Sequence, residues 1–218
     1  TEQNMSTFFD NVPLAPANPI LGLAQVCNED THPNKINLTL GAYRDEEGKP
    51  VVLPSIRSAE LKISDAHMNH EYLKQDGLDD FNMASQKLMF GEDSSVVKDG
   101  NCFTIQSISG TGAIRLGLEL IKRHMPNIKG VYLPQVTWGN HPQMVKDLGI
   151  ELNTYSYLDE AGTGLNFDAM IDDIRNIPDG YAILLHAVAH NPTGVDPTDD
   201  NWRELLEVIK KKKLFIFF

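Results

Sequence analysis

"YAILLHAVAHNPTGVDPTDDNWRELLEVIKKKKLFIFF", Tyr181 to Phe218, is the stretch that decides the fold. It opens on a continuous apolar run, Tyr181 to Ala187, and passes through a loop carrying Pro192 and Gly194. An amphipathic segment follows from Asn201 to Lys212, and a second apolar run, Leu214 to Phe218, closes it. Unbroken apolar runs are typical of strands covered on both faces, as in parallel sheets. The amphipathic segment has the length of a right-handed crossover helix, so the second run is expected inside the sheet, parallel to the first. Burying five large apolar side chains contributes about 7–15 kcal/mol, which rivals the roughly 5–15 kcal/mol total of an ordinary domain. The basic run Lys210 to Lys213 closes the helix and complements the negative end of its dipole.

The same rhythm extends upstream. "CFTIQSI" (Cys102 to Ile108) reads as a strand, "SGTG" as a turn and Ala113 to His124 as a helix. "GVYL" (Gly130 to Leu133) is a strand, followed by a loop through Trp138 and a helix at Gln143 to Leu148. "ELNTYSY" (Glu151 to Tyr157) and a helix at Phe167 to Asn176 complete the series. Strands alternating with helices predict an α/β fold with a largely parallel sheet and helices on both faces. Residues 1–50 are rich in Pro and Asn and read as an extended arm, a short helix near Leu21 to Cys27 and a strand at Lys35 to Leu40. Pro54 to His70 predicts a helix with Ile56, Ala59, Ile63 and Ala66 on one face, and Asp79 to Phe90 a second, ended by Gly91.

Composition narrows the function. With 218 residues, 41% of them apolar and 22% charged, the chain can bury a real core. A net charge of −11 argues against nucleic acid or an anionic membrane as partner, since both need clustered Lys and Arg. Cys27 and Cys102 stand far apart, in neither a disulfide framework nor a zinc spacing. The sequons at Asn4 and Asn37 read as chance, because "TEQNMSTFFDNV" has no signal core. No stretch approaches the roughly 20 apolar residues of a membrane span. A cytoplasmic setting is expected.

Three loops at strand ends carry the chemistry. In "SGTGAIRLGLELI" (Ser109 to Ile121), glycines allow close backbone approach, and the first helical N–H groups favour an anion. Ser109 and Thr111 add hydroxyls suited to phosphate oxygens. The same turn equally suits an ordinary β–α connection with Ser109 or Thr111 as helix N-cap. "TWGNH" (Thr137 to His141) offers an indole that stacks on a flat heterocycle and a histidine that tunes a nearby charge. In "LLHAVAHNPTG" (Leu184 to Gly194), His186 and His190 are four apart on a strand, about 13 Å, too far to share one metal ion. No metal site is expected, and both histidines read as structural or supporting. Asn191 stands at a strand's carboxyl end, where open α/β sheets bind ligands. Together the loops describe a pocket for a phosphorylated aromatic cofactor.

The motifs "NPILGL", "GAYRDEEGKP", "NHEYL", "SISGTGAIRLG", "TWGNH" and "HAVAHNPTG" occur in an order that resembles the class I aminotransferases of the fold-type I pyridoxal-phosphate family, especially the branch that uses aspartate. The resemblance implies an amino-terminal half: residues 1–50 as arm and part of a small domain, and 51–218 as the first part of the large cofactor-binding domain. It implies pyridoxal 5'-phosphate as cofactor, with Ser109, Gly110 and Thr111 on its phosphate, Trp138 stacked on its ring and Asn191 donating to its phenolic oxygen. Trp138 and Asn191 would also meet the substrate, and Gly41 would meet its carboxylate through the backbone. Tyr72 would reach the phosphate of a partner subunit, making a homodimer part of the site. His141 would support the aspartate that pairs with the pyridine nitrogen. That aspartate, the lysine that holds the cofactor covalently and the arginines that clamp the substrate would lie beyond Phe218, so this chain would hold no catalytic lysine and be inactive alone.

The implied reaction moves an amino group between L-aspartate and 2-oxoglutarate, giving oxaloacetate and L-glutamate. An aromatic-amino-acid transaminase of the same class, or a truncated cofactor-binding fragment, are the alternatives. One departure is local: Val136 stands where the family often has proline, against a cis proline bond at that place.

Overall fold

The computed structural model describes residues 7–14 and 19–218. Part of the expected arm and the sequon at Asn4 lie outside these residues. The described residues up to Glu71 form one compact unit and Tyr72–Phe218 a second.

In the first unit, helix α1 (Pro19–Glu29) covers the expected short helix. The Lys35 ammonium donates to the carbonyls of Cys27, Asn28 and Asp30, which supplies the donors that the end of α1 lacks. The expected strand at Lys35 to Leu40 does not form; that segment is bends and coil. Helix α2 (Pro54–Asp65) starts with proline at its first position, where the missing N–H has no helical partner to lose. It buries no residue, and Ile56 and Ile63 of its apolar face are exposed.

The second unit carries helices α3 (Asp79–Phe90), α4 (Ser95–Lys98), α5 (Ser109–His124), α6 (Asn140–Asp147), α7 (Phe167–Asn176) and α8 (Asp199–Lys210). Its strands are β1 (Gly130–Pro134), β2 (Glu151–Tyr155), β3 (Ala182–Leu184) and β4 (Phe215–Phe217). Among the described residues they form one four-stranded sheet, order β2-β1-β3-β4, with every pairing parallel. Side chains alternate faces along each strand. Val131, Leu133, Ala182, Leu184, Phe215 and Phe217 pack on one side with Leu118 and Ile121 of α5 and Met144 and Val145 of α6. Tyr132, Ile183 and Ile216 pack on the other with Met170, Ile171 and Ile174 of α7 and Leu205 and Ile209 of α8. The sheet is therefore covered on both faces, as the apolar strands require. A capping box fixes the start of α8, where Thr198 accepts from the Asn201 amide and Asn201 reaches back to the Thr198 amide.

Two expectations change. "LFIFF" forms β4, parallel to β3, but it is the edge strand among the described residues and only half-buried, with Phe218 61% exposed. "CFTIQSI" makes no ladder, although Phe103 and Ile105 alternate outward while Cys102, Thr104 and Gln106 are half-buried. Period-two burial is a property of one extended chain, whereas a strand needs a ladder partner, and among the described residues the one backbone bond this segment makes across the chain is from the Gln106 amide to the Asp76 carbonyl of a turn.

Candidate active site

The parallel pairings put the carboxyl ends of β1, β3 and β4 at one edge of the sheet. Helix α5 runs the opposite way. Near its carboxyl end Lys122 donates to the carbonyl of Gly149, just ahead of β2, while Gly117 at mid-helix lies against Phe217 near the end of β4. Thr111 sits six residues before Gly117, roughly 9 Å further along at 1.5 Å per residue. The Ser109–Thr111 turn thus projects toward the carboxyl edge, where the loops after β1 and β3 also emerge.

The start of α5 settles the capping alternative. Ile108 occupies the N-cap position and no side chain caps the helix, so neither Ser109 nor Thr111 serves as N-cap. The first amides of the turn are left for water or a ligand, and the helix dipole adds partial positive charge there. Ser109 adopts φ +58°, a left-handed conformation that side chains other than glycine rarely hold. All three residues are exposed, and nothing lies within 4 Å of where a Cβ on Gly110 would sit. This open, uncapped, hydroxyl-flanked helix start suits a phosphate.

The β1 and β3 loops meet in a cluster of rings. Trp138, half-buried, stands edge-on to His141, with centroids 5.5 Å apart and planes at 88°. His141 lies 5.2 Å from His186, and His186 4.1 Å from His190, centre to centre. Tyr157 stacks on His190 at 3.9 Å and donates its hydroxyl hydrogen to the Val195 carbonyl. The Thr137 hydroxyl bridges His141 Nδ1 at 2.8 Å and His186 Nε2 at 3.0 Å. The Asn191 amide donates to His186 Nδ1 at 3.2 Å, joining the residue to the Trp138 loop, while its side chain stays exposed.

The 13 Å separation expected for His186 and His190 is therefore wrong. Strand β3 ends at Leu184, and the chain then folds back, with Ala189 at φ +54°. The Ala189 and His190 amides both donate to the Asp196 carboxylate, which fixes the fold-back. The one cis peptide bond among the described residues is Asn191-Pro192, and none occurs at Val136. No group of three or more His, Cys, Asp and Glu side chains among the described residues is arranged to hold a metal.

Burial sets the charge of this cluster. Desolvation, reinforced by the neighbouring His186, pushes His141 down to about 4. His190 also falls to about 4, again chiefly by desolvation. Desolvation lowers His186, against the opposing pull of Asp196. Near neutral pH the site thus holds three uncharged imidazoles behind the indole. The phenol of Tyr157 rises to about 12 through burial and the Asp196 charge.

Two other expected residues belong to other segments. Tyr72 is 96% exposed, ahead of a turn in which the Asp76 carbonyl accepts from the Gln106 amide. That turn is pinned three residues before Ser109. Gly41, exposed, belongs to the first unit. Sequence reading underrated Thr137, His186 and His190 as one assembly. The available signal was Thr137 four residues before His141, together with a Pro-Gly loop that brings a strand's end back on itself.

The family model described as aminotransferase class I and II matches residues 33–218. The chain is 45% identical over 213 residues to the mitochondrial aspartate aminotransferase of Dictyostelium discoideum, covering 98% of this chain and 50% of that protein. An aromatic-amino-acid aminotransferase from Burkholderia pseudomallei, solved covalently bound to pyridoxal phosphate, superposes with a TM-score of 0.90 at 36% identity. That match covers 97% of this chain and 53% of the other. The aspartate aminotransferase of Saccharomyces cerevisiae cytoplasm superposes with a TM-score of 0.87 at 35% identity, over 96% and 51% of the two chains. The chain thus spans about half the length of the relatives it matches.

Proposed function

Because the chain belongs to the class I and II aminotransferases, we propose that it supplies the cofactor-positioning half of an enzyme that moves an amino group between L-aspartate and 2-oxoglutarate. The observation that carries this reading is the shared carboxyl edge, with its uncapped helix start, its indole backed by uncharged imidazoles and its exposed carboxamide.

Pyridoxal 5'-phosphate fits those donors. Ser109, Gly110 and Thr111 hold its phosphate through backbone N–H and hydroxyl donors. Trp138 lies against the face of its ring, held edge-on by His141. Asn191 donates from its side chain to the ring oxygen, while its backbone is committed to His186. When bound, the cofactor supplies an electron sink for the charge released at the substrate's α-carbon. Gly41 takes the substrate carboxylate through its backbone, and Tyr72 acts in the site of a partner subunit, so the working enzyme is a homodimer. The lysine that holds the cofactor covalently, and the groups that select dicarboxylates, come from sequence outside these 218 residues, and the chain alone does not transaminate.

Aspartate is favoured by the names of the curated relatives. An aromatic amino acid is the second reading, favoured by the 0.90 TM-score of the Burkholderia enzyme. The cytoplasmic setting is also a proposal. The relatives' names include mitochondrial and cytoplasmic enzymes, and fractionation of cells expressing the full-length protein decides between them.

Pyridoxal phosphate titrated into the 218-residue chain is expected to quench Trp138 fluorescence, and Trp138→Phe, which leaves Trp202 as the remaining indole, removes the quench. In the full-length protein, oxaloacetate is expected to form from aspartate and 2-oxoglutarate faster than phenylpyruvate forms from phenylalanine. No oxaloacetate above the free-cofactor background overturns the reading.

A further inference from the structure

Gln106 grips the turn after Tyr72 on both sides of Gly77. Its peptide N–H donates to the Asp76 carbonyl at 2.9 Å, and its side-chain Oε1 accepts from the Leu78 amide at 2.9 Å. Gly77 lies between those points at φ +98°, and a Cβ there would stand 2.3 Å from Gln106 Cβ and 2.6 Å from Oε1. Glycine alone lets the two segments approach so closely. Leu78 is the N-cap of α3, whose start has no side-chain cap of its own, so Gln106 supplies an acceptor to one of that helix's open amides. The Asp76 carbonyl also accepts from Asn82 Nδ2 at 2.8 Å. Asn82 is buried with its Oδ1 unpaired among the described residues, an unfavourable burial that its bond to this turn offsets. Lys74 reaches across to Asp79 and closes the turn from outside.

We propose that Gln106 is a positioning residue for Tyr72, anchoring the Tyr72 loop to the segment that ends in the Ser109 turn. The chain separations are short: Asp76 stands four residues after Tyr72, and Gln106 three residues before Ser109. Tyr72 is 96% exposed, and the anchored turn fixes the backbone from which it projects. A tyrosine that serves a partner subunit needs such a fixed origin, because its reach is set relative to its own subunit. The clamp stands on the bonds around Gly77 alone, whereas its service to a partner's cofactor phosphate rests on the function proposed above.

Residue-resolved amide hydrogen exchange of the 218-residue chain, without ligand, tests the clamp. The Leu78 amide of the unmodified chain is expected to exchange slowly. Gln106→Leu removes the acceptor and is expected to speed that exchange roughly tenfold, with the amides of β1 and β3 unchanged. Gln106→Glu keeps an acceptor at the same reach and is expected to restore slow exchange. No acceleration in Gln106→Leu overturns the clamp, and equal acceleration in both variants overturns the part given to Oε1. If Gln106→Leu does not fold, the unmodified chain decides, since a Leu78 amide as fast as an open loop overturns the clamp. In the full-length protein, Gln106→Leu and Tyr72→Phe are each expected to weaken pyridoxal phosphate binding several-fold, and the double variant no more than Tyr72→Phe alone. Additive losses overturn the link to Tyr72, because a general loosening of the fold would add. If Tyr72→Phe leaves binding unchanged, the partner-subunit reading of Tyr72 fails and takes the link with it, while the exchange rates still decide the clamp.

Discussion

Phe217 closes over Gly117: a Cβ built on Gly117 would meet Phe217 Cζ at 2.6 Å and Cε2 at 3.0 Å. This contact holds mid-helix α5 against the end of β4 and so aims the Ser109 turn at the sheet's carboxyl edge. Gly117→Ala is expected to gain about 1 kcal/mol of helix propensity and to lose about 1–3 kcal/mol by overpacking, a net destabilisation. In a Phe217→Ala background the overpacking disappears, and the same change is expected to stabilise. Urea midpoints of the four proteins check this; equal effects of Gly117→Ala in both backgrounds would refute the contact's role.

Tyr155, fully buried, donates its hydroxyl hydrogen to the Leu184 carbonyl at 3.0 Å, across the last residue of β3. Tyr155→Phe keeps the ring and strands a buried acceptor. A loss of about 1–3 kcal/mol is expected, with no change in the denaturant slope. A loss near zero would mean the carbonyl is satisfied by another donor.

Much of this fold was legible in the sequence because helix periodicity and apolar strand runs are local. Helices α3 and α7 keep the bounds read from their periodicity and stop signals, at Asp79–Phe90 and Phe167–Asn176. "LFIFF" and "CFTIQSI" misled where the answer depended on neighbours. An apolar run gives a strand's preference for burial, while its place in the sheet depends on what lies beside it. The site was half legible. Ser109, Trp138 and Asn191 could be assigned to the carboxyl edge from chain order. The His186–His190 contact could not, because it depends on a left-handed Ala189 and on Asp196 gathering two amides seven and six residues back.

Ser109 holds φ +58° at the start of α5. A left-handed conformation costs a non-glycine residue about 1 kcal/mol or slightly more. Ser109→Gly removes that strain and is expected to stabilise the fold by roughly 0.5–1 kcal/mol. It also removes a hydroxyl from the anion turn, so pyridoxal phosphate is expected to bind several-fold more weakly. Thermal melts without ligand and a titration with it read the two effects separately. Stabilisation with unaltered binding would remove Ser109 from the phosphate site.

Acid should loosen the second unit through its buried imidazoles. An unfolded histidine titrates near 6.5, while folded His141 and His190 titrate at about 4. Between those values the unfolded chain holds protons that the folded chain excludes, so stability falls as pH falls. Each such histidine contributes a slope of up to about 1.4 kcal/mol per pH unit. His186 adds in the same direction. The slope should fade as pH rises through 6.5, where the unfolded histidines also become neutral, and the loss from these groups should level off as pH falls through about 4. Asp196, whose carboxyl is held below its usual range by the His190 and Ala189 amides, loses its contribution only in a lower window. Tyr157, high at about 12, is uncharged throughout. Urea midpoints measured from pH 7.5 down to 4 test the slope. His190→Phe keeps a ring between Tyr157 and His186 and also removes a buried Nε2 that has no partner. That variant is expected to show a shallower fall over the same range; an unchanged slope would mean that His190 is charged in the folded protein and that burial does not control the cluster.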